Sequence, residues 1–122
     1  MVTLESYEMN NLRIEYNILE DSSVVGKATL RLIATKADII PEGFQSNIYY
    51  EVSEVSRNRG VATETLRQLK TKAKENSLTE LILNVMKSNT ASKKVIENNG
   101  GTLIDEAKGD DGIIYQKYQI NL

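Results

Sequence analysis

Arg57, Arg59 and Gly60 stand together where an alternating apolar run (Ile48, Tyr50, Val52) gives way to a helical pattern. A guanidinium is a forked, permanently charged donor suited to phosphate oxygens. Glycine has no Cβ and lets a ligand approach the main chain closely. The first turn of a helix adds unpaired N–H groups and the positive end of a dipole. The stretch Val52 to Thr63 therefore predicts a pocket for a phosphorylated cofactor at the end of a strand. A short Gly/Arg pattern also suits a surface turn with solvated arginines, so these residues alone do not decide. Neither G-x-x-x-x-G-K-[ST] nor G-x-G-x-x-G occurs, which leaves no support for a nucleoside triphosphate or dinucleotide loop.

The rest of the composition narrows the chemistry. The chain of 122 residues holds no Cys and no His. Disulfides, thiolate zinc sites, cysteine nucleophiles, Ser-His-Asp catalysis and His-ligated metals are excluded. Any proton transfer must use Asp, Glu, Lys, Tyr, a hydroxyl, the N-terminus or water. The length suits one domain, 1–122, with one core. The net charge of −2 draws the chain to neither nucleic acid nor an anionic membrane. No apolar run approaches the roughly 20 residues of a membrane span. Met1-Val2-Thr3-Leu4-Glu5 lacks a basic region followed by an apolar core, so no signal peptide is expected and the cytoplasm is the expected compartment.

The elements that must position these residues follow from periodicity. Met1 to Asn11 predicts a short strand or a poorly ordered start. Leu12, Ile14, Tyr16 and Ile18 alternate with polar residues, as do Ala28, Leu30, Leu32 and Ala34, and predict a hairpin turning at Glu20-Asp21-Ser22-Ser23. Lys36 to Ser46, with Pro41 and Gly43, reads as a loop, and Asn47 to Val55 as a third long strand. After Gly60, Ala62, Leu66, Leu69 and Ala73 share one face of a helix ending near Asn76. Leu81 to Met86 is nearly continuous in apolar residues, as in a central strand buried on both faces. Ser88 or Asn89 caps a second helix over Thr90 to Asn98, with Ala91, Val95 and Ile96 inward, and Asn98-Asn99-Gly100-Gly101 stops it. Leu103-Ile104 is a short strand, Lys108 to Gly112 a hairpin turn, and Ile114 to Leu122 the last strand. Repeats, linkers and low-complexity segments are absent from the sequence.

This order of elements, with its motifs, resembles the GNAT superfamily of acetyl-CoA-dependent N-acetyltransferases. Arg57-Asn58-Arg59-Gly60-Val61-Ala62 is similar to that family's [Q/R]-x-x-G-x-[G/A] pattern. Asn89-Thr90-Ala91-Ser92, with Gly100-Gly101 downstream, is similar to its second motif. Each motif is weak alone; both in order, over Leu12 to Leu122, are fairly specific. The resemblance implies an α+β fold: a central, mixed, mostly antiparallel sheet with one parallel βαβ unit and two main helices. It implies acetyl-CoA as cofactor, and a small-molecule or peptide amine as acceptor that attacks the thioester directly.

The family's site residues map onto positions here. The main chain of Tyr50, Glu51 and Val52 would pair with the pantetheine arm. The amides of Asn58, Arg59, Gly60, Val61, Ala62 and Thr63 would hold the pyrophosphate, with the side chains of Arg57 and Arg59 near the phosphates. Asn89 would bond the cofactor's arm, and Ser92 falls near its thiol. The sequence departs from the family at proton handling. Ile96 stands where many members carry Tyr, and Asn84 where some carry Glu. That leaves Ser92 as the candidate acid and Glu51 or Glu54 as candidate bases; an ordinary helix-start hydroxyl and solvated carboxylates are the plainer readings. The two helices that usually wall the acceptor site have no room before Leu12. That wall is open, built by Lys36 to Ser46, or completed by a partner subunit, as in a homodimer. A rival reading keeps the cofactor site without catalysis, as an acyl-CoA-binding domain. A third, an α+β interaction module without CoA, requires both motifs to coincide by chance.

Other constellations read more plainly. Asp110-Asp111-Gly112 lacks the fuller cation-loop pattern and fits a hairpin turn. Tyr16, Tyr50 and Tyr118 fall on core parity, while Tyr49 and Tyr115 fall on the opposite parity and could line an acceptor cleft. Lys70, Lys72 and Lys74 form a solvated helix face, or alternatively lie near the cofactor's adenosine end.

Overall fold

The structure, a computed structural model, describes residues 1–57 and 60–122. Four strands form one antiparallel sheet in the order β1 (Val2–Met9), β2 (Arg13–Glu20), β3 (Ser23–Thr35) and β4 (Ser46–Val52). Helix α1 (Val61–Glu75) follows, then β5 (Glu80–Met86) and helix α2 (Thr90–Asn98). The last strands, β6 (Thr102–Lys108) and β7 (Ile114–Asn121), join β5 in a second antiparallel sheet, ordered β5-β7-β6. No helix among the described residues is long and apolar enough to cross a membrane.

Alternation builds the core. In β2, Ile14, Tyr16 and Ile18 are buried, opposite Leu30, Ala28 and Gly26 of β3. Against this layer α1 lays Val61, Thr65, Leu66, Leu69 and Ala73, all buried. The expected face of α1 is thus correct for three residues. Ala62 lies at its margin, half-buried, and Val61 and Thr65 extend it toward the helix start. Lys72 and Lys74 sit in the last turn, where the dipole favours cations.

Several boundaries differ from the expectation for identifiable reasons. The start of the chain is a full strand paired along β2, with Val2 and Leu4 against the core. A break in register between Ser6 and Glu8 interrupts its period and hides it from a pattern reading. β4 ends at Val52 rather than Val55, because Glu54–Ser56 closes a short 3-10 turn, with Ser56 N–H donating to the Ser53 carbonyl at 2.9 Å. β5 is buried at Leu81 and Leu83, but Ile82 and Asn84 on its other face are only half-covered. β6 is longer than Leu103-Ile104; it is an outer strand whose side chains are mostly exposed, so ladder bonds to β7 define it rather than apolar alternation.

The expected central sheet is parted at one place. No ladder joins β4 to β5 among the described residues, although they lie side by side. A side chain links them instead. Asn47 Oδ1 accepts from Ile82 N–H at 2.9 Å, and Asn47 Nδ2 donates to the Arg31 carbonyl at 3.0 Å. Asn84 Nδ2 adds a bond to the Phe44 carbonyl at 2.6 Å. Both links sit toward the start of β4, leaving its other end, Tyr50 to Val52, without a strand partner on that side.

Candidate active site

At that open end lies a cavity of about 550 Å³. One wall is the end of β4: Tyr50, Glu51 and Val52. A second is the start of α1: Gly60, Val61, Ala62 and Thr63. The third is the start of α2, with Asn89 and Ser92. The structure thus brings together residues from both sequence motifs. Asn58 and Arg59 lie outside the described residues.

Gly60 sets the chemistry of the second wall. It is the N-cap of α1 at φ 76°, in the left-handed region that favours glycine, and a glycine has no side chain with which to cap the helix. The N–H groups of Val61, Ala62 and Thr63 have no partner within the helix. Among the described residues a Cβ built on Gly60 meets nothing within 4 Å, so on their side the approach to these donors is open. This arrangement fits a diphosphate: backbone donors, a helix dipole and cleared space. Arg57 Nε donates to the Val52 carbonyl at 3.1 Å, which ties the arginine to the end of β4 and keeps its exposed charge at the rim. Lys94 supplies a second cation to the lining.

The start of α2 is built differently. Asn89 Oδ1 accepts from Ser92 N–H at 3.1 Å and caps the helix. Asn89 therefore faces the cavity while fixing Ser92 on the first turn. Ala91, Lys94 and Val95 continue that face into the cavity. Sequence reasoning placed Ala91 and Val95 on the inner face and passed over Lys94. The signal was present, since positions three and four apart from Ala91 share one side of a helix. Only Ile96 of the expected inner trio is fully buried, at 1% exposure.

Tyr50 is more than a main-chain contact. It is half-buried and lines the cavity, as Ser92 does. Burial pushes its phenol above the ordinary value, and the Ser92 side chain offsets part of that rise. Ile96 offers no proton, and the Asn84 amide is engaged with Phe44. Glu51 is exposed and accepts from the Tyr49 hydroxyl at 3.3 Å. Burial, and then Glu51, raise the Tyr49 phenol. Glu54 is exposed on the 3-10 turn and is not part of the cavity lining.

Two further expectations change. Tyr115 is buried rather than open to a cleft, because its hydroxyl turns to Asp111 Oδ2 at 2.7 Å. Asp111 Oδ1 also accepts from Ile113 N–H at 3.0 Å, which makes it the hairpin's internal acceptor. Among the described residues no acidic cluster could hold a metal. Lys70 is not freely solvated: its Nζ donates to the Asn99 carbonyl at 2.9 Å.

The chain belongs to the acetyltransferase (GNAT) domain family, whose model matches residues 3–102. No curated protein matches the sequence. Solved structures share the fold at low identity. A GNAT family acetyltransferase from Elizabethkingia anophelis, with acetyl-CoA bound, is 15% identical with a TM-score of 0.75, over 99% of this chain and 98% of its own. RimL, a ribosomal L7/L12 alpha-N-protein acetyltransferase in complex with coenzyme A, is 17% identical with a TM-score of 0.71, over 91% of this chain. A ribosomal-protein-alanine N-acetyltransferase from Brucella melitensis is 20% identical with a TM-score of 0.73, over 90% of this chain and 69% of its own. This chain spans 63% of the length of the RimL chain.

Proposed function

We propose that the protein is an N-acetyltransferase that moves an acetyl group from acetyl-CoA to a primary amine. One observation carries the reading: a cavity where the end of β4 that pairs with no strand on its β5 side, the helix start at Gly60 and the Asn89-Ser92 turn converge. The helix-start donors suit the diphosphate, with Arg57 and Lys94 balancing its charge. The edge of β4 at Tyr50 to Val52, which pairs with no strand on the cavity side, suits an amide-bearing arm that bonds like an added strand. Bound acetyl-CoA would supply the thioester carbon that an amine attacks. On the protein side, Asn89 holds the turn, Ser92 presents a hydroxyl, and Glu51 is the carboxylate nearest the cavity. Glu54 stands in reserve on the adjacent turn.

The acceptor is a small amine or a peptide N-terminus. Two of the structural relatives are described as acting on ribosomal proteins, which supports including such peptides among the candidates. We place the protein in the cytoplasm, as one domain, with a second copy able to complete the acceptor wall.

A second reading, an acyl-CoA binder without catalysis, is favoured by Ile96 and Asn84. The first is sealed in the core, and the second is committed to Phe44. Acetyl-CoA should raise the melting temperature by linkage. Gly60→Glu should abolish that rise by placing a carboxylate against the diphosphate. No shift at millimolar acetyl-CoA counts against both readings. Release of free CoA with polyamines, aminoglycosides or N-terminal peptides then separates enzyme from binder.

A further inference from the structure

The transfer proposed above leaves a thiolate that must be protonated, and the helix position expected to serve carries Ile96, which is 1% exposed. A phenol reaches the cavity from another element. Strand parity puts Tyr50 on the same face as Ile48 and Val52, both packed in the core. Tyr50 packs at the edge of that core and lines the cavity beside Ser92. It is the only phenol in the lining among the described residues.

We propose that Tyr50, with the Ser92 hydroxyl beside it, donates the proton to the departing sulfur. This inference rests on the acetyl-transfer reading. As the amine nitrogen bonds to the acetyl carbon, the C–S bond breaks and its electron pair stays on sulfur. Tyr50 gives its phenolic proton to that sulfur. Ser92 relays a replacement proton from water to the phenolate, and the proton shed by the amine leaves to solvent, so charge and atoms balance. The match in acidity favours the phenol. An unperturbed thiol and phenol titrate near 8.5 and 10, about 1.5 units apart, and although burial of Tyr50 widens that gap the phenol stays the closer match. An aliphatic hydroxyl such as that of Ser92 is a far weaker acid, and transfer is most efficient between matched groups. A phenol is protonated at neutral pH, as a donor must be, and burial reinforces that state.

The test needs no acceptor. Titration calorimetry would compare CoA with desulfo-CoA, which lacks only the sulfur, on the wild-type protein and on Tyr50→Phe. The substitution keeps the ring and removes the hydroxyl. Loss of one hydrogen bond to sulfur should weaken CoA binding about 5-fold, leaving desulfo-CoA unchanged within about 2-fold. With any amine the protein accepts, kcat should fall about 100-fold at an unchanged KM for acetyl-CoA. Equal weakening of both ligands, or of neither, would overturn the role of Tyr50 while leaving the cofactor site standing. Failure of the wild-type protein to bind either ligand would overturn the cofactor reading itself, and the inference with it. Should Tyr50→Phe not fold, Ser92→Ala carries the same comparison: a narrowed preference for CoA supports the pair, and an unchanged preference overturns it.

Discussion

The Asn99 side-chain amide donates to the Thr63 carbonyl at 3.1 Å, fastening the end of α2 to the first turn of α1. The same nitrogen donates to the Val95 carbonyl at 3.0 Å, and the Asn99 carbonyl accepts from Lys70. One buried residue thus sets the distance between two walls of the cavity without lining it. Asn99→Ala should cost about 1–3 kcal/mol, the usual penalty for orphaning buried polar partners. It should also weaken CoA binding, because Thr63 is no longer held opposite α2. Thermal melts with and without CoA would separate the two effects.

Gly60 allows backbone strain to be told apart from ligand access. Its positive φ means that Gly60→Ala should destabilise the fold by about 1 kcal/mol. A Cβ there meets nothing among the described residues, so the alanine variant should still be stabilised by acetyl-CoA. Gly60→Glu carries the same strain yet should lose that stabilisation. A glutamate variant that binds as well as the alanine one would remove the diphosphate from this position.

Gly26 makes the opposite test, since space rather than φ constrains it. A Cβ there would stand 2.1 Å from the Glu51 carbonyl oxygen and 3.0 Å from Val52 Cα. Both are main-chain atoms on the cavity's strand wall. Gly26→Ala must displace that wall, at a cost of about 1–3 kcal/mol, as for other overpacked sites. CoA affinity should fall although Gly26 is not in the cavity lining. Calorimetry on the folded variant would show it.

The Asp111 hairpin should make stability pH-dependent in acid. The Tyr115 hydroxyl, then Ile113 N–H, hold the Asp111 carboxyl below its usual range. A carboxyl whose folded value is depressed stabilises the fold above its unfolded pKa of about 3.9, and that contribution fades as pH falls through the folded value. The difference in melting temperature between wild type and Asp111→Ala should therefore be present at neutral pH and shrink below about pH 4. A difference that persists unchanged in acid would assign the effect to packing of Tyr115 instead.

Much of this architecture was legible because its signals are local. The alternation of Ile14, Tyr16 and Ile18, the repeat Leu66, Leu69, Ala73, and the Asn89 cap each announce an element from a few neighbours. The cavity was legible for a related reason: Gly60 and Asn89 mark two helix starts, and helix starts gather donors. What escaped depends on distant pairing. β1 is concealed by its irregular register, and β6 is held by β7 rather than by a buried face. Tyr115 looks outward by parity until Asp111, across the turn, accepts its hydroxyl. Asn99 reads as a helix terminator, and its hold on Thr63 becomes visible only once the helices are packed.

Asn47 gives the divided sheet a mechanical character. Its carboxamide stands in for a missing rung between β4 and β5, at the end remote from Gly60. The two sheets are thereby pinned like the jaws of a clothes-peg, with the pivot at Asn47 and the mouth at Val52. Among the described residues no ladder closes that mouth, so a long, thin guest lying there would displace no strand pairing.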